Sequence, residues 1–83
     1  DPLSWPVRYE IVVASFSTLR QAEKYIADMK EKGHDFKLLE SKIASNRKKV
    51  IWGSYKTEEE AKDILRDVQR TFEAGAWIAE VKN

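Results

Sequence analysis

Val12-Val13-Ala14-Ser15-Phe16-Ser17-Thr18 and, 39 residues later, Ile51-Trp52-Gly53-Ser54-Tyr55-Lys56-Thr57 decide the fold. Each stretch runs from strand-forming apolar residues through a small residue and a serine to an aromatic. Each then reaches a threonine with Gln21 or Glu60 three positions on, the spacing of a helix capping box. The same offset pairs Ala22 with Ala61 and Ile26 with Leu65. The sequence therefore reads as two copies of one strand-turn-helix unit, over about 11–29 and 50–68.

Working outward, Tyr9 to Ala14 predicts the first strand. Leu19, Ala22, Ile26 and Met29 recur at three and four and predict a helix, stopped by Gly33 with lysines near its negative end. Phe36 to Ala44 predicts a longer, irregular second strand with room for a bulge, and Ser45-Asn46-Arg47 a turn. Lys48 to Ser54 predicts the third strand. A second helix follows, with Glu58, Glu59 and Glu60 at its positive end and a stripe of Ala61, Ile64, Leu65, Val68 and Phe72. Gly75 opens a last strand, Ala76 to Val81. This order predicts an α+β fold, a ferredoxin- or ribonucleoprotein-like βαββαβ arrangement. Its four-stranded antiparallel sheet has two helices on one face and leaves the other for solvent or a partner. Residues 1–7 read as an extended lead-in with two prolines, and 8–82 as a single domain.

Composition narrows the function. Eighty-three residues hold one modest core. The absence of cysteine removes thiolate nucleophiles and thiolate metal sites, and one histidine excludes a multi-histidine metal site. A net charge of +1 is not that of a strongly basic nucleic-acid binder. Ser15 and Ser54 lack an evident base, since His34 falls just past a helix stop and is expected as a solvated turn residue. The three glutamates are explained by the helix end rather than by glycosidase chemistry. No enzyme activity, cofactor or metal is expected. The chain starts at Asp1 and has no apolar run long enough to span a bilayer. It is expected to be a domain of a larger protein, with any anchor or partner domain outside it. Nine aromatics in so short a chain exceed what a core needs.

The two copies resemble the SPOR family, the sporulation-related repeat domain of bacterial envelope proteins. The resemblance lies in Ile11-Val12-Val13-Ala14-Ser15-Phe16 with Gln21-Ala22-Glu23, in Val50-Ile51-Trp52-Gly53-Ser54-Tyr55 with Glu60-Ala61-Lys62, and in the closing Gly75-Ala76-Trp77-Ile78. It covers about Arg8 to Lys82. It implies noncatalytic binding of septal peptidoglycan, of glycan strands lacking stem peptides, through the exposed sheet face. It also implies a place in the bacterial cell envelope, periplasmic or facing the wall, and a role in targeting a parent protein to the division site. In the family a glutamine often precedes the first glycine by two positions; here Val12 stands at the glutamine, Ala14 at the glycine, and Ser15 keeps the following serine.

Strand alternation sorts the faces. With Ile11 and Val13 towards the helices, Glu10 and Val12 face outward. The repeat then turns Val50 and Trp52 inward and Lys49 and Ile51 outward. Val12 and Ile51 are expected as an exposed apolar floor on adjacent central strands. Trp77 is the preferred sugar-stacking residue, since an indole offers a flat apolar face and an N–H donor. Ser15 is a candidate polar contact. Phe16 and Tyr55 read first as packing at the rim of the core and are also candidate glycan contacts, Tyr55 with its hydroxyl. Arg47, Lys48 and Lys49 form a possible basic rim. The alternatives are an RNA-binding or protein-interaction module on the same fold. Gly53-Ser54-Tyr55 does not supply the usual RNA-binding signature of the third strand, so nucleic acid is not the expected partner.

Overall fold

The structure is a computed structural model that describes residues 4–39 and 48–82. The chain runs β1 (Val7–Phe16), α1 (Leu19–Glu31), β2 (Lys37–Leu39), β3 (Lys48–Tyr55), α2 (Glu58–Thr71) and β4 (Trp77–Lys82). The strands form one antiparallel sheet in the order β2-β3-β1-β4. The α+β class and the element order agree with the sequence reading. β1, β3 and β4 are full-length strands, whereas the expected strand from Phe36 to Ala44 is present as three residues of β2. Its remainder and the expected turn with Arg47 lie outside the described residues.

Both helices begin where the capping residues predict. The Thr18 hydroxyl accepts from the Gln21 N–H and the Thr57 hydroxyl from the Glu60 N–H, both at 3.2 Å. The two cap residues share an extended backbone, φ −127° and −120°. Each hydroxyl satisfies a donor that the helix cannot, so Thr18→Ala and Thr57→Ala should each cost about 1 kcal/mol, and the double variant about twice that, in urea denaturation. α1 ends in a Schellman motif: Gly33 N–H donates to Lys30 O, His34 N–H donates to Met29 O, and Gly33 takes φ +93°.

That motif turns His34 back onto the core edge. Its ring lies 5.7 Å from Phe36, 4.8 Å from Phe72 and 6.2 Å from Trp52. The expectation of a solvated turn residue is therefore corrected: backbone geometry at Gly33 sets the imidazole in an aromatic cluster. Trp52 lies in the same cluster, 5.8 Å from Phe36 and 5.6 Å from Phe72. The main core joins Ile11 and Val13 of β1, Val50 of β3, Ala22 of α1, Val68 of α2, Phe36 and Ala76. Both helices thus cover one face of the sheet. Small buried residues, Ala22 and Ala61, allow them to approach it closely.

The pairing of β1 with β3 contains two opposed irregularities. Ile11 pairs with Gly53 and Val12 with Ile51, which leaves Trp52 as an extra residue on β3. Ala14 then pairs with Val50, which leaves Val13 extra on β1. The two bulges cancel in register, but each advances one strand's alternation by one residue. Regular alternation outward from Glu10 would send Ala14 and Phe16 to the open face. Instead both pack against the core, and Ser15, paired with Lys49, turns to the opposite face. On β3 the extra residue lets Trp52 and Tyr55 both face the helices, with Ser54 on the other side. The expected bulge in the second strand is thus matched by none among its described residues, and the bulges lie on β1 and β3 instead.

Tyr25 and Tyr55 are titratable groups that this packing perturbs. Burial raises the pKa of both above the ordinary 10.0, helped by Glu73 at Tyr25 and by Glu60 and then Glu10 at Tyr55. A raised phenol pKa means that the unfolded chain loses its protons first. The contribution is complete below pH 10.0 and disappears as pH rises through the folded values. Stability should therefore fall on the alkaline side of that pH, and the Tyr25→Phe/Tyr55→Phe variant should show a shallower fall in melting temperature.

Candidate functional site

The face opposite the helices is built by three strands in cross-strand rows. One row is Ile51–Val12–Trp77 across β3, β1 and β4, and the next is Ser54–Glu10–Ala79. Val12 and Ile51 lie outside the helix-side core cluster, on the face that the sequence assigned them. Their expected exposure is corrected. Val12 is 0% and Ile51 7% exposed. A central strand residue is shielded by its neighbours in the row, and Val12 has one on each side. They form a packed floor, not an open apolar surface.

Trp77 stands at the end of that row on the edge strand β4 and is 42% exposed. Its neighbour Ile78 packs against the core, so alternation turns the indole outward. The Lys49 ammonium lies 5.1 Å from the centre of the Trp77 ring, a cation–π contact. Lys49 pairs with Ser15 across β3 and β1, so Ser15, Lys49 and Trp77 converge on one end of the face. Lys48 is the strand neighbour of Lys49 and pairs with Phe16. Arg47 lies outside the described residues.

Phe16 and Tyr55 do not join this group. The Phe16 ring is 5.4 Å from Tyr25 of α1, and Tyr55 packs against the helix-side core. The opposed bulges place them there, and their candidacy as contacts on the sheet face is corrected. Gly53 keeps this packing possible, because a Cβ there would sit 2.7 Å from the Tyr55 hydroxyl oxygen and 3.2 Å from its ring.

Sequence reading missed a polar network under the same face. Glu10 is 1% exposed and Arg8 7%. The Arg8 Nε donates to Glu10 Oε1 at 2.5 Å, and the Ser54 hydroxyl donates to Glu10 Oε2. Both carboxylate oxygens are satisfied, and no buried side-chain polar atom among the described residues lacks a partner. The i, i+2 spacing of Arg8 and Glu10 was a sign of shared placement, but strand alternation gives only the face and not the burial. An open depression of about 290 Å³ lined by Phe16, Gln21, Lys24, Tyr25 and Asp28 lies along α1, away from this face. Among the described residues no group of three or more His, Asp or Glu side chains could hold a metal ion, and no helix is long and apolar enough to cross a membrane.

A family model, the SPOR domain, matches residues 6–79. The chain belongs to the SPOR domain family. No curated protein and no solved structure matches it. SPOR domains bind peptidoglycan, and membership agrees with the βαββαβ order and the glycine-serine-aromatic motif of Gly53-Ser54-Tyr55. The family's association is with the cell envelope or septum. In this SPOR domain the open sheet face offers one exposed indole, a lysine beside it and a buried ion pair behind them.

Proposed function

We propose that this SPOR domain binds glycan strands lacking stem peptides through the sheet face, without catalysis, and so directs a parent protein to the envelope and the division site. The observation that supports it is Trp77, the exposed aromatic of that face, with Lys49 beside it. A pyranose ring presents apolar C–H groups that stack on an indole, and the indole N–H can meet a hydroxyl. Val12, in place of the family's frequent glutamine, offers no hydrogen bond, which shifts the polar recognition to Ser15 and Lys49.

Lys49 gives a reason for the preference. Hydrolysis of the amide that joins a stem peptide to the sugar lactyl group leaves a free carboxylate on the glycan. A lysine ammonium beside the stacking indole is placed to meet such an anion once the sugar displaces it from the ring. Each removed stem therefore both clears space and adds a charge that Lys49 matches.

Sedimentation with sacculi, before and after amidase treatment, tests this. Pelleting should rise after amidase, and Lys49→Ala should weaken the amidase-treated case more than the untreated one. The excess should also shrink as salt rises. Protein left in solution with both kinds of sacculi would refute the reading. Retention of single-stranded RNA instead, lost at higher salt, would support the nucleic-acid alternative.

A further inference from the structure

The end of β3 opposite Lys49 carries a second aromatic–cation pair. Trp5, just before β1, is half-buried, and the ammonium of Lys56 lies 5.3 Å from its ring centre. The distance nearly repeats that of Lys49 to Trp77. Lys49 and Lys56 are seven positions apart on β3 and its immediate continuation, which puts the two pairs on the order of 20 Å apart along the strand. Arg8 and Glu10 lie on β1 between the level of Trp5 and that of Val12. Trp5 stands just before the residues that the family model matches, and Lys56 lies within them.

Indole and ammonium together suit one ligand chemistry, a sugar bearing a carboxylate. Trp77 lies outside the hydrophobic cluster that gathers Trp52, and Trp5 is only half-buried. We propose that Trp5 and Lys56 form a second station for the same glycan strand, so that a long strand lacking stem peptides lies along β3 and engages both ends. This rests on the reading that Trp77 and Lys49 bind glycan. A disaccharide is too short to reach from one pair to the other, whereas a strand of many sugars reaches both. Two linked weak contacts then act at a high effective concentration, and length itself becomes part of recognition.

The probes are glycan strands released by amidase and separated by length, with binding measured by titration calorimetry. The wild-type chain should bind long strands about tenfold more tightly than the disaccharide. Trp5→Ala and Lys56→Ala should each remove most of that advantage and leave disaccharide binding within a factor of two. Trp77→Ala should weaken both ligands. Lys56→Ala is included because it leaves the Trp5 packing in place, and melting curves check each fold. If long strands keep their advantage in both Trp5→Ala and Lys56→Ala while Trp77→Ala weakens binding, the second station is overturned and the first stands. If Trp77→Ala changes nothing, the underlying reading fails, and the second station falls with it.

Discussion

Glu10→Ala should destabilise the domain by about 3–5 kcal/mol, a loss read as a large drop in urea midpoint or as failure to fold. The carboxylate accepts from the Arg8 Nε and from the Ser54 hydroxyl, and its own side chain is 2% exposed. Removing it leaves an Arg8 guanidinium that is 9% exposed without its counter-charge, together with an unpaired serine donor. The penalty comes from that stranded charge, more than from the net worth of the pair. Hence Arg8→Met/Glu10→Leu should recover most of the loss, because an apolar pair of similar volume needs no partner. A Glu10→Ala variant that melts within a few degrees of the wild type would show that the buried carboxylate, with its bonds to Arg8 on β1 and to Ser54 on β3, is not a structural tie. The exposed pairs of α2, Lys62–Glu58, Arg66–Asp63 and Arg70–Asp67, provide the contrast. They are solvated on both sides, and substituting any one should leave the urea midpoint nearly unchanged.

Trp77→Ala should have the opposite profile, with an almost unchanged fold and a large loss of binding. The indole is 42% exposed and faces away from the core-packed Ile78, so its removal should cost under about 1 kcal/mol of stability, mostly the Lys49 contact. An aromatic anchor in a binding surface typically accounts for about 2 kcal/mol or more, roughly 30-fold in affinity for amidase-treated glycan. Trp77→Phe should retain part of it by keeping a flat apolar face. Undiminished pelleting by Trp77→Ala would move the site off this end of the sheet. Trp52→Ala serves as the control in the other sense. It should unfold or soften the domain by about 3–5 kcal/mol through the aromatic cluster with Phe36 and Phe72.

Two kinds of residue that look alike in the sequence part company in the fold. Trp52 and Trp77 are both strand tryptophans, and Glu10 stands in a strand as an apparently ordinary surface glutamate. Ile78 beside Trp77 is equally apolar, so alternation alone does not choose a side for the indole. Tertiary pairing decides it, because β4 lies at the sheet edge with Ile78 turned to the core.

The order of the elements and the starts of both helices are legible in local sequence, although of the expected second strand only Lys37–Leu39 is seen among the described residues. Threonine with Gln or Glu three positions on marks a helix start, Gly33 marks a helix end, and apolar spacing of three and four marks the buried stripe. These are local rules, complete within a few residues, and Thr18, Thr57 and Gly33 obey them. The strand-turn stretches Val12–Thr18 and Ile51–Thr57 were enough to suggest the family. Which side chains reach the open face follows from how the strands pair. Opposed bulges at Trp52 and Val13 arise from how two strands meet, and no single strand's pattern contains them. They draw Phe16 and Tyr55 to the helices and leave Ser15 and Lys49 beside Trp77. Burial likewise depends on neighbours from other strands, which is why Val12 and Glu10, correctly assigned to a face, are closed to water.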